Sequence, residues 1–130
     1  MKNEKTRCGR EFLDWLAGCA GRVKELEAGL QLALGEEGED AYRGILLDKT
    51  RLLAALHEEG GPLLQGLDCL ADAERERAGE ALAEFSEEAG RALRLNSFFY
   101  MSALLYPEDH QPGTPNDLDN FLEEMRRFLA

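Results

Sequence analysis

The sequence predicts an all-α protein, and three observations carry that expectation. Its 130 residues include 23 leucines but one valine, Val23, one isoleucine, Ile45, and three threonines, so the β-branched residues that fill strands are nearly missing. Leu, Ala, Glu and Arg, which lose little side-chain entropy in a helix, dominate instead. Apolar residues also recur at alternating steps of four and three, the spacing of one helix face. The architecture expected is an antiparallel helical hairpin or three-helix coiled-coil-like bundle over residues 1–106. A Pro-rich linker over 107–115 and a short amphipathic helix over 116–130 follow.

The first helix is expected over residues 10–34, where Phe12, Leu16, Cys19, Val23, Leu26, Leu30 and Ala33 form a heptad seam. Gly35 suits a left-handed cap, and the acidic stretch from Gly35 to Asp40 reads as a turn leading to the next helix. A second helix over 40–59 repeats the spacing with Tyr42, Leu46, Lys49, Leu53 and Leu56. Lys49 is the one cation on that seam. Its stem is expected to pack while its ammonium reaches the edge of the bundle, the alternative being a carboxylate inside. Gly60, Gly61 and Pro62 read as a stop, with Pro62 starting a short amphipathic helix over 62–70.

From 72 to 106 there is no proline, and Ala78, Leu82, Phe85, Ala89, Ala92, Asn96, Phe99, Ala103 and Tyr106 keep the heptad without a slip. One helix of roughly 52 Å is the expectation. Asn96 falls on the seam, where a lone amide would set register; local rotation that merely exposes it is the rival reading. Residues 98–106 are apolar almost all round and carry no charge. Such a segment must be covered on several sides or leave an adhesive patch.

Residues 107–115 hold three of the four prolines. Thr114 is placed as N-cap of the last helix and Pro115 at its first position. That helix puts Leu118, Phe121, Leu122, Met125, Phe128 and Leu129 on one face, and at about 13 residues it needs an apolar surface to fold on.

The charge balance is 15 Lys plus Arg against 26 Asp plus Glu, a net charge of −11. No basic run is present, which disfavours a nucleic-acid partner and favours a basic or apolar helical one. No segment has the ~20 apolar residues of a membrane span, so no membrane insertion is expected. Leu16-Ala17-Gly18-Cys19 spells a lipid-attachment tetrapeptide, but Glu11 and Asp14 break the apolar run a secretory signal needs. Cys8, Cys19 and Cys69 lack metal-ligand spacing and read as reduced thiols in a cytoplasmic protein.

No glycine-rich phosphate loop, metal cluster or activated nucleophile is recognisable, so neither cofactor nor enzymatic activity is expected. His57 on a helix raises a phosphotransfer domain as a third reading. Gly60 stands where a lysine is usual in such domains, and Glu58 and Glu59 would repel a phosphoryl group. His110 lies in the proline linker and reads as a solvated loop residue.

Function is therefore expected on surfaces, through Phe98, Tyr100, Met101, Leu104 and Leu105 together with Leu118, Phe121, Leu122 and Met125 of the last helix. Such surfaces accept amphipathic helices. The last helix either caps the bundle permanently or covers this groove until a partner displaces it.

The segments Leu46-Leu-Asp-Lys49-Thr-Arg-Leu-Leu-Ala-Ala-Leu56 and Ala92-Leu-Arg-Leu-Asn96 resemble the FlgN-like flagellar export chaperones. The first is similar to that family's acid-Lys-x-x-Leu-Leu-x-x-Leu segment, the second to its Asn-bearing late helix. The family often has two asparagines there and a polar tail, which this chain does not. The resemblance implies a cytoplasmic chaperone. Its client would be the C-terminal helix of hook-filament junction proteins, held soluble and unassembled before type III secretion, with an export-apparatus component as a further partner. The alternative is a helical interaction module without an export role, such as a homodimer joined through the same patch.

Overall fold

A computed structural model describes residues 2–129, with side chains described for 9–35 and 38–129. The fold is all-α, and among the described residues no strand occurs. Its elements are α1 (Lys2–Leu32), a π-helical turn (Ala33–Glu37), α2 (Glu39–Ala54), α3 (Leu56–Gln65), α4 (Asp72–Arg94), α5 (Phe98–Ala103) and α6 (Asp117–Leu129). No helix among them is long and apolar enough to cross a membrane.

The helices form a four-cornered antiparallel bundle. α2 and α3 are one corner: the chain bends only at Ala55, where Glu59 N–H still donates to the Ala55 carbonyl at 3.0 Å. α1 runs antiparallel to this corner, bringing Glu27 to Lys49 and Trp15 to Gly60 and Glu59. α4 also runs antiparallel to it, with Ser86 Oγ bridging the Leu53 carbonyl and the His57 N–H. α6 closes the fourth corner between α1 and α4, antiparallel to both, with Leu129 at Gly9, Asp119 at Lys24 and Phe121 against Phe85.

The core follows the heptad pattern closely. Phe12, Leu16, Val23, Leu46, Leu53, Leu56 and Leu82 are each no more than 1% exposed, and Leu118, Met125 and Leu129 of α6 are equally buried. The last helix is thus a full corner of the bundle, which explains why its apolar stripe is continuous from Leu118 to Leu129.

Several boundaries differ from expectation for local reasons. Gly38, not Gly35, takes the positive φ of +94° after the first helix. Gly60-Gly61-Pro62 does not stop the chain: Pro62 lies inside α3, and Gly60 is buried where a methyl group would run into the Trp15 indole. The helix meant to begin at Pro62 instead ends at Gln65, and Arg75 Nη2 holds the following turn through the Leu67 and Leu70 carbonyls at 2.7 and 3.2 Å. Asn116 rather than Thr114 caps α6: its Oδ1 accepts the Asp119 N–H at 2.8 Å and Asp119 reaches back to its N–H at 3.4 Å. Cys19 is a free thiol, whereas Cys69 is disulfide-bonded, which corrects the expectation of reduced thiols. The expectation for Cys8 falls outside the described side chains.

The long fourth helix is broken. α4 ends at Arg94 in a Schellman arrangement, with Ser97 N–H on the Ala92 carbonyl at 3.1 Å and Asn96 N–H on the Leu93 carbonyl at 3.0 Å. Asn96 supplies the left-handed residue this requires, φ +49°, and is exposed. Its expected register-setting role on a buried seam is therefore corrected. Ser97 then caps α5, its Oγ accepting the Tyr100 N–H at 3.2 Å.

Candidate partner-binding end of the bundle

The break at Asn96 turns α5 across the end of the bundle, where it packs on α2 and α4. The apolar excess of residues 98–106 then divides. Met101, Leu104 and Leu105 plug the bundle end and are buried, Met101 completely. Phe98 is half-buried, its ring 5.2 Å from the Arg43 guanidinium. Phe99 and Tyr100 point outward, 76% and 53% exposed, with Leu95 beside the break at 58%. Leu32 and Leu34 are exposed at the same end.

A buried polar cluster fixes the segment after α5. Lys49, only 1% exposed, donates to Glu27 Oε2 at 3.2 Å and to the Leu104 carbonyl at 3.3 Å. The Tyr106 hydroxyl donates to the same carboxylate at 2.6 Å, and its ring centre lies 5.2 Å from the ammonium. Lys49 therefore does not reach the bundle edge; it meets a carboxylate inside. Burial pulls its pKa below the ordinary lysine range and Glu27 pulls it part of the way back. Burial, then the Glu27 hydrogen bond, pushes the Tyr106 hydroxyl up to about 12.

These contacts hold Leu105 at φ +77°, a backbone state that costs a branched residue on the order of 1–3 kcal/mol. The Asp117 N–H on the Leu105 carbonyl, 3.1 Å, ties the same point to the start of α6. His110 lies in this loop, partly exposed, its ring edge-on to Tyr106 with centres 4.9 Å apart and its Nε2 bonded to the Thr114 carbonyl at 3.1 Å.

Between α4, α5 and the 104–107 segment lies a cleft of about 490 Å³. Ala92, Leu95, Tyr100, Ala103 and Leu104 give it apolar walls, while Glu88 and Asp117 stand at its polar side. Both carboxyls are raised above their ordinary range, chiefly by burial, with Glu84 adding repulsion to each.

The structure thus brings together only part of the expected surface. Tyr100 is on the rim, and Leu104 and Leu105 line the cleft from a buried position. Met101 is core and cannot be an accessible anchor without refolding. Leu118, Phe121, Leu122 and Met125 are core as well, and α6 packs on α1 and α4 and not on α5, so it does not cover residues 98–103; it meets the following segment only through its first turn, at Leu105. Leu95 is a further rim residue, and Phe99, which the unbroken heptad placed on the buried seam, is exposed and edge-on to Tyr100 at 5.8 Å. His57 is exposed next to exposed Glu58 and Glu59, and among the described residues no group of three or more His, Cys, Asp and Glu side chains could hold a metal ion.

Comparisons with protein-family models, curated proteins and solved structures find no match to this chain.

Proposed function

We propose that this protein is a non-enzymatic helix-binding chaperone that holds an amphipathic helix of a client against the α4–α5 end of its bundle. The observation that carries the reading is an apolar-walled cleft lined by Leu95 and Tyr100, both more than half exposed, with the exposed Phe99 ring edge-on to Tyr100. Exposed aromatic and aliphatic side chains rimming a concavity are how grooves take the i, i+3, i+4 and i+7 anchors of a helix. Their exposure is costly unless a partner covers them.

Together with the likeness of residues 46–56 and 92–96 to FlgN-like chaperones, this supports an export-chaperone role; a cytoplasmic location rests on that likeness alone. The client would be the C-terminal helix of a hook-filament junction protein, kept soluble and unassembled before secretion, and an export-apparatus component would receive the complex. Self-association through the same end is a second reading, favoured by the additional exposure of Leu32 and Leu34 there.

The test is titration of a junction-protein C-terminal peptide by calorimetry, with Phe99→Asp as the variant. Burying a phenylalanine is worth roughly 1.5–3 kcal/mol, so the substitution is expected to weaken binding at least about tenfold while leaving the fold intact. Unchanged affinity excludes this end as the site. A concentration-dependent dimer in sedimentation, indifferent to the peptide, supports self-association instead.

A further inference from the structure

The cleft is not electrically neutral, and its charge narrows the kind of helix it can take. Its carboxylates, Glu88 and Asp117, come from α4 and from the first residue of α6, and neither has a salt-bridge partner among the described residues. Glu84 adds a third negative charge close to both. The cations facing the group are few. Arg91 lines the cleft and pulls the Glu88 carboxyl down while also pairing with Glu87 at 3.8 Å, and His110, bonded to Thr114, pulls Asp117 down; in both carboxyls burial and neighbouring acids outweigh them.

Resting on the reading above, we propose that the cleft selects a basic amphipathic helix: apolar anchors pack against Leu95, Tyr100 and Ala92, and a lysine or arginine on the flank of the stripe is received by Glu88 and Asp117. Charge complementarity chooses this occupant over the others available. A second copy would bring another −11 net charge and its own Glu88 and Asp117 to the same face, which disfavours a self-paired arrangement. The chain's own α6 is already seated between α1 and α4. A cation entering between the two carboxylates removes a repulsion that the free protein carries, so its attraction is added to relief of a standing cost.

The probes are two synthetic helical peptides with one Leu/Phe stripe, flanked by lysines in one and by glutamines in the other, read by fluorescence anisotropy at low salt. The lysine peptide is expected to bind about tenfold tighter, the scale of one partly desolvated charge pair. In the Glu88→Gln/Asp117→Asn double variant that advantage is expected to fall below about threefold, while the glutamine peptide binds as before. A control with the same change in charge elsewhere, Glu58→Gln/Asp68→Asn, is expected to retain the full advantage; both of its sites are exposed and away from the cleft.

Equal affinity for the two peptides overturns the proposed selection and leaves helix binding standing. An advantage that survives Glu88→Gln/Asp117→Asn, or that is lost equally in the control, also overturns it, because overall charge and not the cleft then reads the cation. Failure of both peptides to bind overturns helix binding itself.

Discussion

Removing the two partners of the Lys49–Glu27 pair should have unequal effects, because the partners are unequally buried. Lys49 is 1% exposed, whereas the Glu27 side chain is 21% exposed and also accepts the Tyr106 hydroxyl. Glu27→Gln strands an ammonium in the core with the Leu104 carbonyl and the Tyr106 ring as its remaining partners. Breaking a buried pair in this way costs about 3–5 kcal/mol. Loss of the proton sets an upper limit: from the ordinary lysine value of 10.5, neutralising the group at pH 7 costs about 5 kcal/mol. Lys49→Met leaves a carboxylate that still has water and a hydroxyl, and fills the site with an apolar chain, for a cost of about 1–2 kcal/mol.

The assay is urea unfolding followed by the fluorescence of Trp15, the single tryptophan, which packs on Phe12 and donates to Glu59 at 3.4 Å. The sign of the pH dependence follows from the proton count. A lysine whose folded pKa is lowered binds fewer protons folded than unfolded, so stability rises with pH from the folded pKa up to the ordinary value of 10.5. Glu27→Gln removes the group that pulls Lys49 back up and should steepen this rise between pH 7 and 9.5, by at most about 1.4 kcal/mol per pH unit. Tyr106, raised to about 12 from 10, acts oppositely: its contribution is complete below pH 10 and is lost as pH climbs towards 12, which sets the upper edge of the window. A Lys49→Met variant as costly as Glu27→Gln, or a Glu27→Gln penalty that does not shrink with pH, would refute the reasoning.

Other outcomes follow from single contacts. Asn96→Gly should stabilise the protein by about 0.5–1 kcal/mol, since glycine adopts the left-handed state without strain; a loss of more than that would restore a buried role for the amide. Phe121→Ala should cost about 3–5 kcal/mol in the same unfolding assay, as for a core phenylalanine, and a cost under about 1 kcal/mol would show α6 to be a loosely held cover. Burial and Glu59 raise the Cys19 thiol to about 11 from 9.0, so its alkylation at pH 8, followed by peptide mass, should run about 100-fold slower than for an ordinary thiol. Ordinary reactivity would mean that this stretch of α1 opens readily.

Most of the bundle is legible in the chain because packing needs only a repeated apolar face. The seams from Phe12, from Tyr42 and from Ala78 each lie on one corner, and the stripe from Leu118 to Leu129 marks another. The break at Asn96 is less visible, since the heptad continues across it in phase. The local signal was nevertheless there: asparagine tolerates the left-handed state, and the serine after it is a preferred cap. That break decides the site, because it sends Phe99 outward and Met101 into the core. The burial of Lys49 could not be read from its own neighbourhood, as its partner Glu27 lies on another helix and Leu104 is 55 positions away. Gly60-Gly61-Pro62 misled for a similar reason: the space Trp15 needs is tertiary, and local propensity yields to it.

The central question is whether a client helix docks where Leu95 and Tyr100 border the cleft, with Phe99 beside them. Amide and methyl chemical shifts of the full chain, followed during titration with a junction-protein C-terminal peptide, address this directly. The largest changes are predicted from Glu88 to Ala103 and at Asp117, with α3 and the buried face of α6 unmoved. Changes confined to α1, α3 or α6, or no change at saturating peptide, would contradict it.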